Sequence, residues 1–166
     1  RMDDPVLFLE NKGIYRQAHA AALEPADDYL LPFGKAAVKR EGADVTIVTW
    51  GALVSKCLET ARLLDKEELS NEVIDIRTLV PLDMATILRS VRKTNKVLIV
   101  HEDTLTNGFG AEIAARIADE AFQDLDAPIR RVAAKDCHIP YAWTLESEIL
   151  PQEKDITDAA RALAAY

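Results

Sequence analysis

In residues 96–121 an unbroken apolar run at 97–100 gives way to the charged triplet His101, Glu102 and Asp103. A loop with Asn107 and Gly108 follows, then Phe109, Ile113, Ile117 and Ala121 at steps of four. An apolar run without alternation is what a strand covered on both faces carries, and a step of four keeps side chains on one helix face. Strand, loop and helix in that order make half of a parallel α/β unit. Open α/β sheets take ligands at the carboxyl ends of their strands, where His101 and Glu102 fall.

The same alternation recurs along the chain. Residues 45–50 are a β-branched run that Gly51 ends, and Leu53, Cys57, Ala61 and Leu64 then recur at helical spacing over about 52–68. A second buried strand is expected at 72–76. Asp83 is placed to cap a helix with Met84, Ile87 and Val91 on its apolar face, and Arg92 and Lys93 in its last turn match the negative end of the helix dipole. Residues 36–40 read as a short edge strand, 129–133 as a final strand and 141–150 as a short irregular helix. A last helix over 152–165 packs through Ile156, Ala159, Ala160 and Leu163. Ahead of these, 6–10 is strand-like and ends at Asn11, Lys12 and Gly13, while the Ala-rich stretch 19–28 with Pro25 reads as a surface linker. The expectation is a three-layer α/β/α domain with a mostly parallel sheet, compact from about Tyr29. There is no internal repeat, and the opening at Arg1 and Met2 reads as the start of a piece of something longer.

Twenty basic residues against twenty-eight acidic ones give a formal charge of −8 and a pI near 4.9, which argues against a nucleic-acid surface or an anionic-membrane anchor. A basic partner suits this surface better. No apolar stretch approaches the ~20 residues of a bilayer span, and the order of a signal peptide is missing, so a cytoplasmic protein is expected.

Candidate chemistry is sparse. Cys57 and Cys137 have neither metal-ligand nor disulfide spacing; Cys57 sits on an apolar helical face, and Cys137 next to His138 needs a partner in space to act as a nucleophile. His19 and His138 lack partners by spacing, so no metal site is expected. Asn107-Gly108-Phe109-Gly110 opens a helix after a strand as phosphate loops do. Ile113 stands where a dinucleotide fingerprint needs its third glycine, which leaves a glycine turn that packs the helix closely on the strand. His101 beside a carboxylate has the makings of an acid–base pair, but consecutive strand residues point to opposite faces, so His101 and Glu102 do not share a pocket on a regular strand. Arg77, just past a strand end, is suited to clamping a carboxylate or phosphate, or to bridging a subunit interface; Tyr15-Arg16 and Arg130-Arg131 are the other polar candidates.

Several motifs occur together and in order: Pro5 to Lys12 with Ile14-Tyr15-Arg16, Leu31-Pro32-Phe33-Gly34-Lys35-Ala36, Thr49-Trp50-Gly51-Ala52, Ile74-Asp75-Ile76-Arg77-Thr78-Leu79-Val80-Pro81-Leu82-Asp83, His101-Glu102, and Asn107-Gly108-Phe109-Gly110-Ala111-Glu112-Ile113. The series resembles the C-terminal half of the beta subunit of thiamine-diphosphate-dependent 2-oxo acid dehydrogenases, the group of pyruvate, branched-chain 2-oxo acid and acetoin enzymes. The wording of residues 12–17 leans to the branched-chain type.

The resemblance implies residues 1–18 as the tail of a pyrimidine-binding domain, 19–28 as a linker and 29–166 as a transketolase C-terminal domain, a five-stranded mixed sheet with one antiparallel edge strand. It implies oxidative decarboxylation of a 2-oxo acid by the parent enzyme, with acyl transfer to a lipoyl group. Thiamine diphosphate and magnesium would be held upstream, with none bound by this chain and no catalytic residue in it, His101 and Glu102 at most lining a site edge. The implied partners are an alpha subunit or region, a second beta subunit and a dihydrolipoyl acyltransferase core with a basic binding domain, which Asp126 and the terminal carboxylate of Tyr166 would meet. Residues 135–141 depart from the family's Asp-x-Pro-x-Pro-Tyr wording and leave Cys137 and His138 without a role. Competing readings are a free-standing assembly module and the C-terminal domain of another transketolase-like enzyme.

Overall fold

Strands that lack polar alternation need cover on both faces, and the computed structural model supplies it with two helical layers. It describes residues 3–166, apart from the side chain of His19. The elements run β1 (Ala37–Arg40), β2 (Val45–Thr49), α1 (Leu53–Leu64), β3 (Asn71–Asp75), α2 (Met84–Thr94), β4 (Val97–Thr104), α3 (Phe109–Ala121), β5 (Arg130–Ala134), α4 (Trp143–Ile149) and α5 (Glu153–Ala164). The sheet order is β1-β3-β2-β4-β5, with β1 antiparallel to β3 and every other pair parallel. This is the expected five-stranded mixed sheet with one antiparallel edge.

Period two divides each strand between two cores. Ile47, Val73, Leu98 and Val100 pack against Leu53, Cys57, Ala61 and Leu64 of α1 and Ile156, Ala160 and Leu163 of α5. Val48, Ile74, Val97 and Ile99 pack against Ile87 and Val91 of α2 and Ile113 and Ile117 of α3. Each of these aliphatic side chains is fully buried, worth about 1.5–3 kcal/mol apiece relative to exposure. The chain leaves β2 toward β3 over the α1 face and returns to β4 over the α2 face. Reversing direction and face together keeps both crossovers of one hand. It also places a topological switch point at the carboxyl ends of β2 and β4.

Asp83 does more than cap. Its carboxylate accepts from Thr86 N at 3.1 Å at the start of α2 and from Ala36 N at 3.0 Å, and Gly34 N donates to Thr78 Oγ1 at 3.3 Å, so the loop after β3 also holds the entry to β1. Two expectations change. Residues 6–10 form no strand: Leu7, Phe8 and Leu9 are 92%, 77% and 85% exposed, because the sheet has no edge beside this extended run. And β4 continues past Val100 to Thr104, where a register shift brings Thr104 opposite Ala134.

One buried charge ties α2 to the sheet. The Glu72 side chain is 1% exposed and is paired with Lys93, which also reaches Glu41 at 2.7 Å. Lys93→Met should cost about 2–4 kcal/mol in urea unfolding, since it strands a buried carboxylate, and adding Glu72→Met should recover most of it. Two additive losses would argue against this coupling.

Candidate functional site

The switch point is where β2 ends and its pairing with β4 stops at Thr49 and Val100, and Trp50, His101 and Glu102 stand just past it. Alternation sends the last two apart, as expected. His101 points to the α2/α3 face and is 1% exposed; its ring stacks on Trp50 with centroids 5.3 Å apart and planes 6° from parallel. Phe109 meets Trp50 edge-on at 6.0 Å. A Cβ on Gly110 would stand within 3.0 Å of His101 Nε2 and Cδ2, and one on Gly108 would be 2.8 Å from His101 Cε1. Gly110 lets α3 pack onto the ring and Gly108 lets the chain pass both the ring and the Thr104 carbonyl, the close-packing role expected of them. Neither ring nitrogen has a hydrogen bond of good geometry, and burial pushes the imidazole below its ordinary value of 6.5, with the Asp103 carboxylate and backbone opposing and Arg131 reinforcing the shift. A sealed neutral imidazole does no acid–base work on a substrate.

Glu102 faces the other way, into a cleft of about 670 Å³ lined by Asn11, Ser55, Lys56, Glu146 and Glu153 among others. Burial raises its carboxyl; Lys56 and the amide of Asn11, 3.5 Å away, pull it down, and Glu146 pushes it up. Lys56 itself donates to Pro151 O at 2.9 Å and Gln152 Oε1 at 3.3 Å, which ties α1 to the start of α5. So the cleft holds a half-buried carboxylate beside an occupied ammonium, and the Ser55 hydroxyl on its wall donates to Ala52 O at 3.0 Å.

The other candidates scatter. Arg77 adopts φ 57°, and its backbone N–H donates to Asp75 Oδ1 at 3.1 Å while its guanidinium lies 3.9 Å from Asp75 Oδ2, so it turns toward its own chain. Asp126 and Tyr166 are exposed at the opposite end of the sheet from Glu102: Asp126 N bonds Asn95 O at 2.9 Å, and neighbouring Lys96 Nζ bonds Ala164 O at 3.1 Å. Cys57 is an inert core residue whose thiol burial pushes up to about 12. Cys137 and His138 are exposed. The side chain of His19, like Arg1 and Met2, lies outside the described residues. Among the described residues no three His, Cys, Asp or Glu side chains converge as a metal site would need.

Comparison with known proteins decides what kind of domain this is. Residues 34–156 match the family model described as transketolase, C-terminal domain. The chain belongs to that family. It is 44% identical over 162 residues to the mitochondrial pyruvate dehydrogenase E1 component subunit beta of Dictyostelium discoideum, covering 97% of this chain and 46% of that one. It is 44% identical over 167 residues to the 2-oxoisovalerate dehydrogenase subunit beta of Bacillus subtilis (strain 168), covering 100% and 50%. Among solved structures, a split-gene transketolase described as an inactive beta4 tetramer superposes with a TM-score of 0.73 at 26% identity, over 84% of this chain and 45% of that one. The transketolase C-terminal fold and the beta-subunit likeness expected from the motifs are thus both found. The chain spans about half the length of the curated relatives it matches.

Sequence reasoning missed Trp50 as the partner of His101 and Lys56 and Glu146 as neighbours of Glu102. The cue for the first was Trp50 directly after β2 and before Gly51, one residue past the level at which Thr49 pairs with Val100 at the end of the apolar run in β4; nothing local marked the others. Gly110→Ala should destabilise the domain by about 1–3 kcal/mol through overpacking against the ring, and much less in a His101→Ala background. Equal losses in both backgrounds by thermal unfolding would show that the ring is not what Gly110 accommodates.

Proposed function

We propose that this chain is the supporting C-terminal half of the beta subunit of the decarboxylating component of a 2-oxo acid dehydrogenase complex. That component oxidatively decarboxylates a 2-oxo acid and passes the acyl group to a lipoyl arm. The observation that carries the reading is the 44% identity, over nearly every residue, to beta subunits of both a pyruvate and a 2-oxoisovalerate dehydrogenase. Thiamine diphosphate, when bound with its magnesium, supplies the carbanion chemistry outside this chain. Here His101 fills a core, Glu102 borders a cleft, and neither holds a cofactor. The residues of this chain position and assemble: the partners are an alpha subunit or region, a second beta subunit and a dihydrolipoyl acyltransferase core.

Docking of that core falls at the end of the sheet carrying Asp126 and Tyr166, away from Glu102. Supporting this are the exposure of both residues, their shared end of the sheet, and a net charge of −8 that favours a basic binding domain. Removing the last few residues through Tyr166 from the complete beta subunit should lower capture of the acyltransferase core at least ~10-fold in a pull-down, more at low salt than at high. Unchanged capture would remove the docking role. Titration calorimetry of the 166-residue chain with thiamine diphosphate should give no heat of micromolar binding, and a clear micromolar isotherm would overturn the supporting, non-catalytic reading. In the assembled enzyme, His101→Ala should lower thermal stability or assembly before it alters turnover per assembled active site. A fully assembled, equally stable but inactive variant would contradict that placement.

A further inference from the structure

The contact between His101, Trp50 and Gly110 has a property that support alone does not require. A hydrophobic ring of the same size would fill the space as well, since neither imidazole nitrogen makes a hydrogen bond of good geometry. We propose that this contact is a proton-gated latch: protonation of His101 drives the ring from beneath α3 and releases Asn107 and the first turn of that helix.

Geometry makes the response all-or-none. With one face on Trp50 and its edge against Gly108 and Gly110, the ring has no room to shift by a few tenths of an ångström, so it either stays neutral and seated or leaves. A seated imidazolium would bury a charge whose N–H donors have only the Asp103 backbone turned toward them, with no hydrogen bond of good geometry. It would also stand at the positive end of the α3 dipole, where Gly108 provides no side-chain cap. The charged groups facing the ring are few. Asp103 on β4 favours the proton and Arg131 on β5 disfavours it, while Trp50 at the end of β2 and Phe109 and Gly110 of α3 bring no charge, and Glu112 in the first turn of α3 is exposed. The moving part is bounded on its amino-terminal side. Thr106 is anchored to Asp136 by bonds of 2.8 and 2.6 Å, and Leu105 O accepts from Arg131 at 2.6 Å. Asn107, next in the chain, sits at φ 60°, a left-handed conformation that the opening relieves.

The sign follows from the direction of the shift. Because the folded imidazole lies below its ordinary 6.5, the latched state contributes its full stability above that pH and loses it as pH falls through 6.5 toward the lower folded value. The test uses the 166-residue chain carrying Trp143→Phe, so that Trp50 alone reports, taken from about pH 7.5 to about pH 5 by fluorescence and by hydrogen exchange corrected for intrinsic rates. We expect a reversible change in Trp50 emission with a midpoint below 6.5 and exchange of amides 107–112 rising at least ~10-fold, with the central strands still protected. His101→Phe should abolish both, with His101→Leu as the second variant if the phenyl ring fails to seat. Arg131→Gln should move the midpoint up and Asp103→Asn should move it down. A transition that survives in the His101 variants, its absence from the parent chain, or midpoints that fail to move in these directions would overturn the latch.

Discussion

Burial of the sheet on both faces is the constraint from which the rest of this domain follows. Four parallel-paired strands leave no solvent face, so consecutive residues serve opposite helical layers, and each layer must be supplied by a crossover. The reversal between the crossovers out of β2 and into β4 is the geometric consequence. It opens the sheet at one place, and that place is where Trp50, His101 and Glu102 end up. Neighbours in the chain thereby have unrelated fates: His101 is sealed against Trp50 under α3, and Glu102 borders a polar cleft beside Lys56.

The two ends of the sheet are built differently. At the carboxyl ends, the switch point is plugged on one face by an aromatic stack that tolerates only glycine at the start of α3. At the amino ends lie Asp126, the last turn of α5 and the Glu72–Lys93–Glu41 triad, in which Lys93 joins a buried carboxylate to an exposed one. Rigidity there fits the docking role proposed above, since a preorganised face loses less freedom on binding.

Much of the fold was legible in residue order. The helix faces through Ile87 and Val91, through Ile113 and Ile117, and through Ile156 and Leu163 pack inward as their spacing requires, and Asp83 caps α2 as its position requires. Residues 6–10 mislead because propensity describes a strand's faces and not whether an edge exists to receive it. The site was legible in part. Opposite faces for His101 and Glu102 follow from period two alone, and a packing role for Gly108 and Gly110 follows from the failed phosphate-loop spacing.

What sequence alone determined is therefore the class of the domain, the faces of its helices and, through a motif series running nearly its whole length, its family. Only the tertiary structure decided that Trp50 stacks on His101, that the ring's nitrogens make no hydrogen bond of good geometry, and that Lys56 and Glu146 stand near Glu102. These pairs join elements about 45 to 50 residues apart, whose meeting depends on sheet order and crossover face. Local periodicity carries no information about either, because it registers which side of an element is apolar and not which other element will cover it.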